Sequence, residues 1–414
     1  RLIRRQRQMC IRDRQKATAR ILELKSRLVQ THAGRLPSLG LQAEAGREKR
    51  QIIGFVPGMS LVSRTDTHAI SFPASFELDL WGRLARAEEA ARADILSAEE
   101  TRRTIAQGIV AETITLYFQV IGLERQIEIA ERSVENFRRR LSLVEHRYER
   151  GLTSLLNLRQ ARRALAQTEA LLPELYRELG LAQHRISLLV GRYPELGVPS
   201  KQRELYLENL EPVPTGLPSQ LLLRRPDIRA AEAQLRSLNA MIGVAKASRI
   251  TKIALTGNLG YASEALTEVL RHDSELWSIA LGIVQPLFDG GALKAGQRVA
   301  EARYAQGLAQ YAKTVLTAFA EVESALLTRK KQMERREKIL GLLEETRAME
   351  ELTEARYQRG LVDYLAVLDA RAARFQAERD LVLVDLALVT NRVTLHRALG
   401  GGWADPGRGT VDGH

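Results

Sequence analysis
The chain has 414 residues but a single cysteine, Cys10, so an internal disulfide and a cysteine-rich metal site are both excluded. Proline is missing between Pro73 and Pro173, and again between Pro286 and Pro406. Proline breaks helix interiors, so both intervals permit very long helices. No uninterrupted apolar run approaches the ~18–20 residues of a membrane-crossing helix. Catalytic signatures are missing too: there is no GxSxG, HExxH, Walker loop or GxGxxG. The histidines are scattered, with no i,i+4 pair. The sequence therefore predicts no enzyme, no cofactor and no metal. Aromatics are only 5% and charged residues 27%, with Ala, Leu, Glu and Arg dominant, a mixture that points to long helices or coiled coils. The formal net charge is +12, but Arg and Glu alternate within the same segments, as in "ERSVENFRRR". That pattern reads as solvated helix surface, and nucleic acid is not expected as a partner.

What is present is a repeat. "RYERGLTSLLNLRQAR" from Arg147 lies over "RYQRGLVDYLAVLDAR" from Arg356 without a gap, and Gly191 falls on Gly400 at the same offset. "VAET" from Val110 falls on "FAEV" from Phe319, and "LWG" at Leu80 meets "LFDG" at Leu287 one residue out of register. The chain is a tandem duplication of a roughly 200-residue unit. In the first unit, Ile127, Ala130, Val134, Phe137, Leu141, Val144 and Tyr148 alternate three and four apart, a coiled-coil seam. A helix from Gly82 to Arg150 would span about 100 Å. Gly151 suits a turn, and a second helix returns from about Ser154 to Val190. The second unit predicts a helix from Ala292 to Arg359, a turn at Gly360 and a return to Leu399. Each "RYxRGL" thus closes a long helix at a hairpin tip.

Four segments have period two instead: "SLGLQAEAG" (38–46), "ISFPASFELDL" (70–80), "IALTGNLGYAS" (253–263) and "LWSIALGIVQPLF" (276–288). Each reads as a strand of near ten residues, with polar loops over about 47–69 and 262–275. Such strands match an outer-membrane barrel, and closure is compulsory in lipid. Four strands cannot close alone, so an oligomer must supply the rest, and a trimer gives twelve.

"SFELDLWGRL" (75–84), "GLPSQLLLRRPDIRAAEAQL" (216–235), "LTGNLGYAS" (255–263), "QPLFDGG" (285–291), "RYQRGLVDYLAVLDA" (356–370) and "HRALGGGW" (396–403) carry a resemblance from about Ala17 to Trp403. The chain resembles the outer-membrane factors, TolC-type efflux ducts, in their OprM/NodT lipoprotein branch. The resemblance implies an α+β fold: long helical hairpins forming a periplasmic α-barrel, on a trimeric twelve-stranded outer-membrane β-barrel in outer-membrane lipid. It implies a Gram-negative outer-membrane duct reaching into the periplasm. The partners implied are a homotrimer, a periplasmic adaptor (membrane fusion protein) and an inner-membrane RND-type pump. The work implied is export of small toxic compounds, including antibiotics. An exit duct for type I protein secretion has the same fold with other partners. A soluble coiled-coil scaffold is the alternative of another class.

The expected organisation is as follows. Residues 1–16, whose first fourteen hold six arginines, are non-native or disordered. The first repeat is 17–210, with a β-hairpin at 38–80 and a helical hairpin at 82–190. A linker covers 211–226. The second repeat is 227–403, with a β-hairpin at 253–288 and a helical hairpin at 292–399, and 404–414 is a disordered tail. Relatives carry a signal, a lipidated cysteine and a further helical stretch before the point where this chain joins the pattern. The tip residues Arg147, Tyr148, Gly151 and Leu152, with Arg356, Tyr357, Gly360 and Leu361, have two readings. Glycine is a turn residue, and Arg and Tyr end a helix. The resemblance adds adaptor docking. It also makes Asp369 a periplasmic gate residue. Many relatives read "LDVLDA" where this chain has Leu365-Ala366-Val367-Leu368-Asp369-Ala370, so one of two acids is gone. "LLLRRPDIR" reads as structural, with Pro226 forcing Arg225 out of helix geometry and Asp227 opening a helix.

Overall fold
A computed structural model describes residues 9–53, 60–193 and 224–401, with side chains over 14–50, 62–193 and 224–401. In order the elements are α1 (Met9–Ala33), β1 (Ser38–Leu39), β2 (Gln42–Ile53), β3 (Ser60–Leu78), α2 (Arg83–Glu149), α3 (Leu155–Glu169) and α4 (Leu171–Leu189). There follow α5 (Pro226–Ala247), β4 (Lys252–Ser263), β5 (Glu275–Val284), α6 (Ala292–Gln358) and α7 (Tyr364–Ala398). The chain divides into two compact units. One joins Ala19–Glu99 to Ala230–Ala312; the other joins Arg1–Thr18, Glu100–Arg229 and Lys313–His414.

The first of these units holds an open antiparallel sheet, β2–β3–β4–β5. β1 and β2 keep one register against β3, Leu39 opposite Ala74 and Gln42 opposite Ser71. They are one strand, interrupted opposite Pro73, which has no N–H to donate. Opposed residues share a face. Leu39, Ile70, Phe72, Phe76, Leu255, Leu259, Trp277, Ile279 and Leu281 fall on one side; Ser71, Ser75, Thr256, Asn258, Ser278 and Gly282 fall on the other. The apolar side is open to solvent in the single chain, with Trp277 and Ile279 each 72% exposed. The paired stretch Lys252–Tyr261 with Glu275–Val284 is ten residues long, the length of a tilted transmembrane strand.

The expected polar loop over 47–69 is a correction. β2 and β3 stay paired as far as Ile53 opposite Ser60, beyond β4, whose pairing with β3 ends at His68 opposite Ser263. Alternating hydrophobicity marks a half-buried strand; this extension carries charges on both faces and gives no such signal. Arg47 and Asp66 hold it together by two bonds of 2.6 Å. Around the second hairpin the loop holds, with short 3₁₀ turns at Leu266–Glu268 and His272–Ser274.

Both long helices leave the sheet through an aspartate cap. Asp79 accepts from Leu84 N–H (3.1 Å) and Ala85 N–H (2.8 Å), and Asp289 from Gly291 N–H (2.8 Å) and Leu293 N–H (2.7 Å). Those bonds satisfy orphan donors of the first turn. β3 and β4 come unusually close at Gly260, where an added Cβ would lie 2.5 Å from Ile70 O and 2.9 Å from Ser71 Cα. Both are backbone atoms and cannot yield cheaply. Gly260→Val should therefore abolish the heat-modifiable barrel band on gels. Gly257→Ala, whose nearest contact would be an ordinary 3.6 Å, should keep it; equal behaviour of the two variants would refute the close-approach argument.

The other unit is a set of long helices in which α2 packs on α4, α3 meets α7 near the tips, and α6 packs on α7. Leu116, Val120, Leu123, Ile127 and Ala130 of α2 pack against Leu175, Ala182 and Ile186 of α4. Val322 and Ala325 of α6 pack against Leu395 and Ala398 of α7. Of the seam residues, Ile127, Ala130, Val134, Phe137 and Val144 are buried, but Tyr148 is 39% exposed. The expected single helix from Ser154 to Val190 is interrupted at Ala170. Pro173 has no N–H for the carbonyl of Glu169. At the same offset the second repeat has Val382, and α7 runs unbroken for 35 residues.

Arg225 is the polar centre of this unit. Its side chain is 7% exposed. The guanidinium donates to Asp227 (3.1 and 2.7 Å), to Glu321 (2.8 Å) and to the carbonyl of Ala398 (2.9 Å). Beside it Gly400 (φ 92°) passes Arg224 so closely that a Cβ would lie 3.0 Å from its carbonyl carbon. Arg225 of "LLLRRPDIR" is thus a structural clamp, and α5 opens at Pro226, one residue before the expected Asp227.

Candidate functional site
The two tips are built alike. At the end of α2, Gly151 (φ 71°) donates to Tyr148 O at 2.9 Å, and Leu152 N–H to Arg147 O at 2.8 Å. At the end of α6, Gly360 (φ 73°) donates to Tyr357 O at 2.9 Å, and Leu361 N–H to Arg356 O at 3.0 Å. Each is a Schellman closure, a left-handed residue followed by a six-to-one bond. The next helix then starts on a cap. Ser154 Oγ accepts from Asn157 N–H at 3.3 Å, and Asp363 Oδ1 from Ala366 N–H at 3.1 Å. A Cβ on either glycine meets nothing within 4 Å. In the single chain the glycines are required by φ, not by lack of room.

The structure brings the tips together through Arg147 and Tyr357. Arg147 Nη1 donates to the Tyr357 hydroxyl at 3.3 Å, and its guanidinium lies 5.7 Å from that ring's centroid. Tyr357 in turn packs on Tyr364 at 5.5 Å. Under them lies a small core of Phe137, Val144, Leu158, Ala161, Tyr364, Val367 and Leu368. Burial there pushes the ionisation of Tyr364 up. Tyr148, Leu152, Arg356 and Leu361 do not join this core and stand exposed. Leu155 and Leu156 are exposed beside them, and the sequence reading missed both. The available signal was the run Leu152, Leu155, Leu156, more leucine than one seam can bury.

Asp369 lies between buried Leu368 and buried Ala370 yet is itself exposed. It makes no ion pair within 4 Å among the described residues. Ala366, where a second acid would stand, is half-buried.

The outer membrane efflux protein family model matches residues 12–192 and 217–401, one match on each repeat. The chain belongs to the outer membrane efflux protein family. Cation efflux system protein CusC of Escherichia coli O6:H1 (strain CFT073) is 32% identical over 397 residues, covering 95% of this chain and 84% of that protein. Solvent efflux pump outer membrane protein SrpC of Pseudomonas putida is 32% identical over 372 residues, covering 90% and 78%. A crystal structure of CusC superposes with a TM-score of 0.87 at 31% identity, covering 94% of this chain and 89% of that one. As an outer membrane efflux protein the chain is an efflux channel of the outer membrane that reaches into the periplasm. The family supplies the reason for an apolar sheet face with nothing covering it: that face meets lipid.

Proposed function
We propose that three copies join edge to edge into a twelve-stranded barrel, the exit duct of a tripartite pump for small toxic compounds. The observation that carries this reading is the open sheet. It has ten-residue strands, one apolar face and two unpaired edges, which lipid cannot solvate. The relatives' names include cation and solvent efflux, and a wide wet duct does not require specific contacts with either. Light scattering on protein purified in detergent should give the mass of three chains. A stable monomer with native circular dichroism would end the proposal.

In this reading the two tips dock a periplasmic adaptor, which joins the duct to an inner-membrane RND-type pump. The exposed apolar residues Leu152, Leu155, Leu156 and Leu361 support it, since such a patch is costly to leave bare. Asp369 belongs to the periplasmic gate, its exposure and lack of a partner leaving it free to face the lumen. Three copies would set three carboxylates in one ring. Like charges held close favour a bound cation. Asp369→Ala should weaken cation preference and reduce block by divalent cations in planar-bilayer recordings. Unchanged selectivity together with unchanged block would remove Asp369 from the gate.

A further inference from the structure
The lipid side of the sheet does not end where its apolar residues do. β3 passes into α2 at its Leu78 end, and the long helices reach into the periplasm, so the Ser60 end lies outside the cell. Opposed residues share a face, and the lipid-facing rows can be followed outward in register. Phe72, Leu259 and Trp277 form one row; Ile70, Tyr261 and Glu275 form the next. Tryptophan and tyrosine are side chains of the membrane–water interface, so the hydrocarbon ends near this level. Beyond it come Ala45 with His68, Arg47 with Asp66, and Lys49 with Arg64.

Charge on this extension is sorted by face. On the lipid side the described side chains carry three cations, Arg47, Lys49 and Arg64, against one carboxylate, Asp66. On the other side Glu44 and Glu48 stand against Arg50. Arg50 is neutralised by Glu48 at 2.9 Å, and Arg47 by Asp66 at 2.6 Å. Lys49 and Arg64 differ. They stand directly opposite one another, both exposed, with no ion pair within 4 Å among the described residues. Like charges directly opposed across two strands are destabilising. An anion seated between them turns that repulsion into two attractions.

Height narrows the choice of anion. Arg64 lies six residues beyond Ile70, about 20 Å along the strand and about 14 Å above it at a 45° tilt. A phospholipid headgroup layer is only about 5–8 Å thick. The phosphates that reach the level of Lys49 and Arg64 are therefore those carried on a sugar headgroup. The cationic strip also continues the lipid face, on the same side of the same strands, so its neighbours are headgroups and not cargo inside the duct.

We propose that Lys49 and Arg64, with Arg47 below them, bind the phosphates of a phosphorylated glycolipid in the outer leaflet and clasp the duct to its membrane above the hydrocarbon. Ammonium and guanidinium groups hold phosphate by charge-assisted hydrogen bonds. Asp66 orients Arg47 and does not cancel the row. The proposal requires only the lipid-facing sheet, not the number of copies in the ring.

The test uses the full chain in dodecyl maltoside and a fluorescent core-only lipopolysaccharide as probe. Its dephosphorylated form, phosphatidylglycerol and inorganic phosphate serve as competitors. Lys49→Gln/Arg64→Gln should weaken probe binding about tenfold or more, since each cation near an anionic surface counts for several-fold. The wild-type affinity should fall as salt rises. Arg50→Gln, on the opposite face of the same strand, should bind as wild type. The dephosphorylated form should compete poorly against the wild-type chain, which tests the phosphate contact without any variant. Unchanged affinity in the double variant, equal loss in Arg50→Gln, or full competition by the dephosphorylated form would overturn the proposal. Phosphatidylglycerol competing as well as the probe itself would make the strip an unselective anionic-lipid surface. Millimolar inorganic phosphate displacing the probe would make it a free-anion site. Either result would overturn the glycolipid assignment.

Discussion

Arg225→Met should lower the unfolding free energy of the helical unit by about 3 kcal/mol, the low end of the cost of breaking a buried ion pair. The low end applies because Asp227 and Glu321 keep 31% and 34% of their side chains exposed. Water can therefore solvate part of what the arginine leaves behind. The guanidinium itself has no such relief, being 7% exposed and bonded to two acids and the Ala398 carbonyl. Thermal melting of the purified protein, followed by loss of helical circular dichroism, measures the effect. An unchanged melting temperature would mean that the clamp contributes nothing net. The same site gives a pH dependence. Burial opposes ionisation of Asp227, but the hydrogen bonds and charge of Arg225 outweigh it and hold the carboxyl below the ordinary aspartate range. A lowered pKa means that the folded state favours the charged form. The stability is complete above the unfolded aspartate pKa of about 4 and is lost as pH falls through the lower folded value. Asp227→Asn should flatten that acid limb.

Gly360→Trp should abolish resistance in cells while leaving trimers intact on gels, and Gly151→Trp should do the same. Both glycines hold a left-handed φ, which costs an ordinary L-residue about 1–2 kcal/mol. That cost is local and small beside the assembled duct, and a Cβ at either position meets nothing in the single chain. Loss of function beyond it must come from bulk pushed into a partner. Asparagine separates the two effects, because it tolerates the left-handed region and adds little volume. Gly360→Asn should retain most resistance. If Asn and Trp fail equally, or if trimers fail to form, the glycines are turns and dock nothing. Minimal inhibitory concentrations and trimer bands, read side by side, distinguish these outcomes.

Most of the long-range order was legible because two periodicities are unusually clean here. Three-four spacing in a proline-free interval placed α2 within a residue of each end, and the repeat carried the same hairpin to α6 and to the end of α7. Alternation placed the membrane part of each strand and the lipid face. The misses have physical causes. The outer parts of β2 and β3 pair by backbone bonds and the Arg47–Asp66 ion pair, which leave no apolar signature. Tyr148 occupies a seam position, but the helix ends there and no partner remains to cover it. The pairing of Arg147 with Tyr357 joins residues 210 apart and is set by how the hairpins stack.

The uneven strand lengths shape the mouth of the duct. β3 continues eight residues past its last pair with β4, from Thr67 back to Ser60, about 26 Å at the strand rise. In a ring of three copies the rim would be a crown, with three tall polar tongues separated by three low saddles. Cargo reaching the rim could spill sideways through a saddle without travelling the full height of a tongue. The tongues would also be the first surface met by anything arriving from outside. Substitutions in them would leave the lipid-facing staves below undisturbed.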